Sequence, residues 1–383
     1  MSHTNFSNEV LRNKIRVARG AAGFTLSDAA RHLEFNNYQT LSAIEKGNRN
    51  ITAHELSAMA SLYGRTLEYF FESENQPEPV PLWRKVCDAP VKPIERKFLS
   101  FLENYSNLEN LYGLKRKWKA VLKSYDKSDF AEDGFRLAEK LGTEMSNALG
   151  LGVRPSSNLL NVLENDLRIK ILHLPLENGV SGASVLGNRL GAGILINASD
   201  APWRRNFDLA HELFHIITWD VFSHHEVGDG TVKTRPEQYA NAFASSLLLP
   251  KTALQGTLEE ISNDSQIRMS DVIQLAKEFG VSTEAILWRL VNVNVLKRQK
   301  AEEIISSPEI RKMDKLLRKG LYFKNKPEMF SPRYIYLAYK ALSDGKISRG
   351  VFAEYMAIDR FEVDEYLKKQ GFLESNYAKI ASA

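Results

Sequence analysis

The run from Arg204 to Asp220 reads RRNFDLAHELFHIITWD. At its centre, His211 and His215 stand four residues apart, with Glu212 beside the first. On a helix that spacing puts both imidazoles on one face, about one turn apart. Two such rings can hold one zinc ion, and Glu212 can serve as general base toward a water in the open position. A catalytic zinc usually takes three protein ligands. A third histidine six residues after the second is one solution, but Val221 stands there. A glutamate from a following helix is the other. Glu237 fits it, at the start of PEQYANAFASSLLLP, and Asn241 is one turn further on. An asparagine there can hydrogen-bond a ligand and orient it.

The competing reading is a core helix that happens to carry two histidines. Phe207, Leu209, Ala210, Leu213, Phe214, Ile216 and Ile217 make this stretch apolar nearly all round. Two histidines and a glutamate inside it are costly unless something satisfies them, and a metal satisfies all three. His224 and His225 fall in an irregular stretch, SHHEVGDGTVKT, and read as solvated, either being able to donate to an oxyanion. His32 and His173 read as surface or packing residues.

The elements that must carry these groups are legible on either side. IKILHLPL, GASVLG and AGILINAS are short, apolar or β-branched, and separated by turn residues, which predicts a small antiparallel sheet. The helix bearing Glu237 opens with Pro236 in its first turn. SDVIQLAKEFGVSTEAILWRL reads as a helix pair joined at Gly280, and GKISRGVFAEYMAIDRFEVDEYLKKQGF as another. The predicted fold is mainly α with a small antiparallel β-sheet, an α+β chain. Its expected parts are residues 1–75, a five-helix domain; 76–125, a linker with a helix; 126–295, the part holding the candidate metal site; and 296–383, a helical C-terminal region.

The first block has its own pattern. Thr25 and Thr52 are placed as N-caps, and Gly23, Gly47 and Gly64 sit where helices should stop. LSDAARHL and YQTLSAIEKG, joined by EFNN, have a helix-turn-helix layout with Leu33, Leu41 and Ile44 packing the pair. Asn37, Tyr38, Gln39 and Ser42 then face outward at the start of the second helix, where Asn37 and Gln39 suit the edges of adenine. Lys14, Arg16, Arg31, Lys46 and Arg49 can hold phosphates. ESENQPEPVPLW follows as an acidic, proline-rich stretch that should be extended and exposed. Ile94, Phe98, Phe101, Tyr105, Leu108 and Tyr112 then form a heptad-like seam that breaks at Gly113. It is either an amphipathic helix packed on its own chain or a short dimerisation helix.

The whole chain has 383 residues, 43% hydrophobic and 26% charged, ordinary globular values. A net charge of +4 permits a nucleic-acid partner without requiring one. Cys87 is the sole cysteine, which excludes an internal disulfide and a cysteine zinc cluster. There is no signal-peptide pattern and no apolar run of ~20 residues, so a cytoplasmic protein with no membrane partner is expected.

Two resemblances follow from these residues. FTLSDAARHLEFNNYQTLSAIEKGNRNIT resembles the Xre/Cro-type DNA-binding domain. RRNFDLAHELFH with EQYANAFASSLLLP resembles the ImmA/IrrE metallopeptidases, with Phe214 where that family often has glycine. The second resemblance implies His211, His215 and Glu237 as Zn2+ ligands and Glu212 as general base. Together they imply a DNA-binding transcription regulator carrying a zinc-dependent endopeptidase. Its partners would be a double-stranded DNA operator and a protein substrate, a helix-turn-helix repressor or antitoxin, in a phage, mobile-element or stress context. A homodimer would suit a palindromic operator, and Asn37, Tyr38, Gln39, Ser42, Lys46 and Arg49 are its expected DNA contacts. Two other readings stand beside it: a transcription factor or antitoxin whose zinc fold only senses or scaffolds, and a protein-docking module with no DNA target.

Overall fold

The computed structural model describes residues 8–22, 24–63, 65, 67–71, 81–84, 91–114, 125–176, 180–187, 189–222, 224–227, 234–262, 267–319 and 326–372. The chain divides into two compact units, Met1–Pro79 with Pro90–Asn107, and Val80–Ala89 with Leu108–Ala383.

The first unit opens with α1 (Asn8–Ala21), α2 (Leu26–His32), α3 (Tyr38–Lys46), α4 (Ala53–Tyr63) and α5 (Leu67–Phe71). The Thr25 hydroxyl accepts from the amide of Asp28 and caps α2. Thr52 and Glu55 cap α4 reciprocally, at 2.9 and 3.2 Å. Gly47 ends α3 with φ of +86°, in the left-handed region that glycine enters without strain. Gly23 and Gly64 lie outside the described residues. Leu11, Ile15, Leu41, Ile44, Met59 and Phe70 make the core. Arg19 grips both carboxylate oxygens of Glu45 at 2.7 and 3.0 Å, tying α1 to α3.

Two stretches between the head and the sheet depart from expectation. Most of the proline-rich stretch lies outside the described residues, but its end forms β1 (Leu82–Arg84), with Leu82 buried. Helix α6 (Val91–Leu111) carries the heptad-like seam. Phe98, Phe101, Tyr105 and Leu108 are all buried within the single chain. The seam is therefore used in intrachain packing, and the dimerisation helix that supported a homodimer loses its basis. Residues 115–124, which that reading also included, lie outside the described residues.

The second unit is built on a four-stranded sheet. Helix α7 (Gly134–Ala148) and the single turn α8 (Leu159–Asn161) precede β2 (Lys170–Leu174), β3 (Gly182–Gly187) and β4 (Gly191–Asn197). The strand order is β1-β3-β4-β2. The antiparallel expectation holds for β3 with β4, and the unexpected β1 also pairs antiparallel with β3, but β2 pairs with β4 in parallel, so the sheet is mixed. After two reversals the chain runs in its original direction, and β4 enters between its two predecessors. Every residue of β4 is buried, as a central strand requires. The free edge of β2 meets Phe330 and accepts cover from the C-terminal region, where the His173 amide donates to Met329 O at 3.1 Å.

Against this sheet lies α9 (Pro202–Ile217), and the short α10 (His224–Val227) and α11 (Arg235–Leu248) follow it, α11 packing on α9 and α7. The remainder is helical as expected: α12 (Lys251–Ser262), α13 (Met269–Glu278), α14 (Thr283–Asn292), α15 (Arg298–Ser306), α16 (Pro308–Leu317), α17 (Pro332–Ser343), α18 (Arg349–Met356) and α19 (Val363–Lys369). None of the described helices is long and apolar enough to cross a membrane.

Helix α11 packs closely on α7 through small residues. A Cβ on Gly142 would sit 2.4 Å from the carbonyl oxygen of Phe243 and 3.0 Å from the amide nitrogen of Leu247, both backbone atoms that cannot swing aside. Gly142→Ala should therefore force α7 off α11 and cost about 1–3 kcal/mol. Urea unfolding measures it; an unchanged midpoint would show that the two backbones are not in contact in solution. His173 gives a second test. Burial, aided by the charge of Arg205, pulls its pKa down to about 4. An unfolded chain takes up that proton near pH ~6.5, whereas the folded one holds out to the lower value. Stability should fall as pH drops through that window, and His173→Leu should flatten the fall in a urea series at pH 7, 6 and 5.

Candidate metal centre

Helix α9 opens with Pro202 and carries Asp208, His211, Glu212 and His215, all buried. Its apolar side is held by aromatic packing. Phe214 sits against Phe130, Phe222 and Phe243 with ring centres 6.2, 6.4 and 5.5 Å apart, so the position often filled by glycine here anchors the helix. Arg204 bonds Asp208 at 3.2 Å and Ser181 at 3.0 Å, which joins the first turns of α9 to the start of β3.

Helix α11 supplies the rest. Thr234 precedes it and Pro236 occupies its first turn, which places Glu237 at the helix start and Asn241 one turn along on the same face. Glu237 Oε2 lies 3.2 Å from His211 Nε2, and its Oε1 lies 3.0 Å from His215 Nε2. The two Nε2 atoms are 3.1 Å apart. Donor atoms of these three residues all fall within 4.8 Å of one another.

The protons show what such a cluster accommodates. Asn241 Oδ1 stands 3.0 Å from His211 Nδ1, and an amide oxygen can only accept. His211 then carries its proton on Nδ1 and turns the lone pair of Nε2 toward Glu237 and His215. Buried lone pairs of two imidazoles and a carboxylate meet at one point, and a cation there satisfies them together. Burial on its own would raise the Glu237 carboxyl. With protons on the imidazole Nε2 atoms in place of a cation, hydrogen bonds and charge from His211 and His215 would outweigh it and hold the group far below the usual carboxylate range. His215 Nδ1 is buried with no hydrogen-bond partner among the described residues, so His215 lacks the orienting contact that His211 has. The donor set, nitrogen, nitrogen and oxygen, matches the preference of zinc.

The Glu212 side chain lies against β3 of the sheet. A Cβ built on Gly182 of β3 would lie 3.6 Å from Glu212 Oε1. The expected metal residues, the expected base and Asn241 thus occupy one region. His224 and His225 stand on the short α10 rather than in an irregular loop, and their side chains lie outside the described residues. Sequence reading did not single out Gly182, Asp208 or Arg204. The four-residue spacing of Arg204 and Asp208 was the available signal for that pair.

In the head, α2 and α3 pack as a helix-turn-helix pair, with Leu41 and Ile44 buried. Asn37, Tyr38, Gln39, Lys46 and Arg49 are exposed, and Ser42 is half-buried. Asn37 also caps α3, its Oδ1 accepting from the Thr40 amide at 3.1 Å, so only its amide nitrogen is left to face a base. Arg49 is paired with Glu55 at 2.8 Å. Lys14 is buried and donates to Tyr69 O at 2.7 Å, which removes it from the phosphate-binding set.

The comparisons agree with this division. Residues 15–70 match the helix-turn-helix family, and residues 164–291 match the peptidase family described as the IrrE N-terminal-like domain. No curated protein matches the chain. Among solved structures, a Mycobacterium tuberculosis transcriptional regulator aligns at 18% identity over 50% of this chain and 51% of that one, with a TM-score of 0.28. That alignment spans about half of the regulator, and a likeness of this degree establishes neither fold nor function. This chain joins a helix-turn-helix DNA-binding domain to an IrrE N-terminal-like domain of a metallopeptidase family.

Proposed function

We propose that the protein is a DNA-binding transcription regulator that carries a zinc-dependent endopeptidase, acting in the cytoplasm on a regulatory protein of repressor or antitoxin type. The observation that carries this reading is the convergence of His211, His215 and Glu237, with Asn241 setting the His211 tautomer, in a chain that also holds a helix-turn-helix domain. Bound there, zinc would supply a Lewis acid for a peptide carbonyl and lower the pKa of water toward ~7. The chain's own groups do the rest. Two neutral imidazoles and one carboxylate hold the ion, and Asn241 keeps the His211 lone pair aimed at it. Glu212 accepts the proton of the attacking water and returns it to the departing amine. The apolar packing around Phe214 keeps bulk water from competing for these charges.

In the head, Gln39 and the amide nitrogen of Asn37 are the groups that can read base edges, Tyr38 and Ser42 stand beside them, and Lys46 with Arg49 lies where phosphates pass. Regulation by this protein then has two arms, operator binding and removal of a second regulator.

Elemental analysis tests the metal. Purified protein should contain about one zinc per chain, and His211→Ala with Glu237→Ala should lose it. Full occupancy in that double variant would remove the ligand assignment. Glu212→Gln should keep its zinc yet cleave purified repressors from the neighbouring genes about 10²–10⁴-fold more slowly. An undiminished rate would leave the domain as sensor or scaffold. For DNA, binding-site selection should show Gln39→Ala relaxed at one base pair, by about 1–3 kcal/mol. Lys46→Ala should weaken all sequences alike and shallow the salt dependence. A wild-type chain that selects no sequence at all would make the head a docking module.

A further inference from the structure

A hydrolytic site must be reached by its substrate, and this one is closed. His211 is 0% exposed, Glu212 1%, His215 3% and Glu237 9%. A polypeptide cannot enter such a site unless some element moves.

Gly182 is the β3 residue that faces Glu212, with its virtual Cβ 3.6 Å from the carboxylate oxygen and 3.7 Å from Cγ. On its outer edge β3 is paired by β1, in the antiparallel register Leu82↔Ser184, Trp83↔Ala183 and Arg84↔Gly182. The backbone of Arg84 thus runs directly opposite the residue that touches Glu212, one strand spacing of ~4.8 Å away. Beyond β1 no further strand follows, since the order is β1-β3-β4-β2 among the described residues. Among the described residues β1 spans three positions and pairs with nothing but β3, and it is separated from α6 and α5 by proline-containing sequence. An element so short, held by one ladder, is the cheapest in the sheet to detach. Detaching it would expose the N–H and C=O groups of β3 beside Glu212, a ready template for an extended peptide.

We propose that residues 82–84 of this chain are a built-in competitor for the outer edge of β3, displaced when an extended polypeptide docks there. The inference takes its consequence from the peptidase reading above, since the strand that docks there is the one brought beside Glu212. Its physical content is independent of that reading: two strands compete for one edge. Leu82 is buried and Trp83 half-buried, so the occupant is an apolar strand, and the incoming peptide should likewise be extended and carry an apolar or aromatic residue.

The test uses the full chain and a fluorescent peptide with the sequence PVPLWRKV, residues 79–86 of the protein itself. Binding is read by anisotropy with chelator present, so failure of the zinc or peptidase reading does not alter it. Arg84→Pro removes the β1 donor opposite Gly182 and should open the edge. The peptide should bind this variant at least tenfold more tightly than wild type, and should restore hydrogen-exchange protection to the amides of 182 and 184, which face β1. Replacing residues 82–84 by Gly-Ser-Gly should give the same result, and serves where the proline variant is poorly folded. Equal affinity for wild type and variants would overturn the proposal, as would a folded variant that binds no peptide. If neither variant folds, β1 is a fixed part of the core and not a displaceable strand, which also overturns it.

Discussion

The meeting of two imidazoles and a carboxylate inside a packed interior is the constraint on which the peptidase-like part of this chain depends. None of His211, His215 and Glu237 can sit in apolar surroundings without a partner, because a desolvated charge or lone pair costs several kcal/mol. They find partners in one another, in Asn241 and in whatever cation they hold, and only if α9 and α11 are in fixed register. Much of the architecture around them serves that register. Gly142 lets α7 approach α11 to backbone contact, and Phe214 wedges α9 among Phe130, Phe222 and Phe243. The Arg204 guanidinium ties the first turns of α9 to the sheet. Loosening any of these would separate donor atoms that lie within 4.8 Å of one another.

The same packing that satisfies the cluster also encloses it. A buried site has strong electrostatics, because little water screens it, but it must open to act. The sheet edge offers a physical route, since backbone groups released by one strand can be taken up by another at little net cost. The head shows a similar double use of groups. Asn37 both starts α3 and stands at its exposed end, and Arg49 both neutralises Glu55 and stacks near Phe35, so any further contact there competes with interactions already made.

What could be read from the sequence was local. His211, Glu212 and His215 are four residues apart at most, and helical geometry alone puts the histidines on one face. Pro236 and the apolar period behind it marked a helix start at Glu237, and its chemistry made it the third candidate. Thr25, Thr52 and Gly47 marked helix ends, and the period of Leu41 and Ile44 marked the buried side of α3. These signals act over one or two turns, and the structure places each where they indicate.

What tertiary structure decided depended on partners distant in the chain. The insertion of β4 between β2 and β3 made the sheet mixed, because turn residues state that the chain reverses but not which edge it rejoins. Whether the seam on α6 faced a second copy or its own chain turned on what lay opposite Phe98, Phe101 and Tyr105, which the heptad spacing does not encode. The end of a proline-rich stretch became β1 because β3 offered an open edge to pair with. Lys14 was drawn inward by the carbonyl of Tyr69, fifty-five residues away. Residue type and spacing determine which groups can do chemistry, while burial and pairing are properties of surfaces that meet only on folding, and these settle which of the groups remain available to do it.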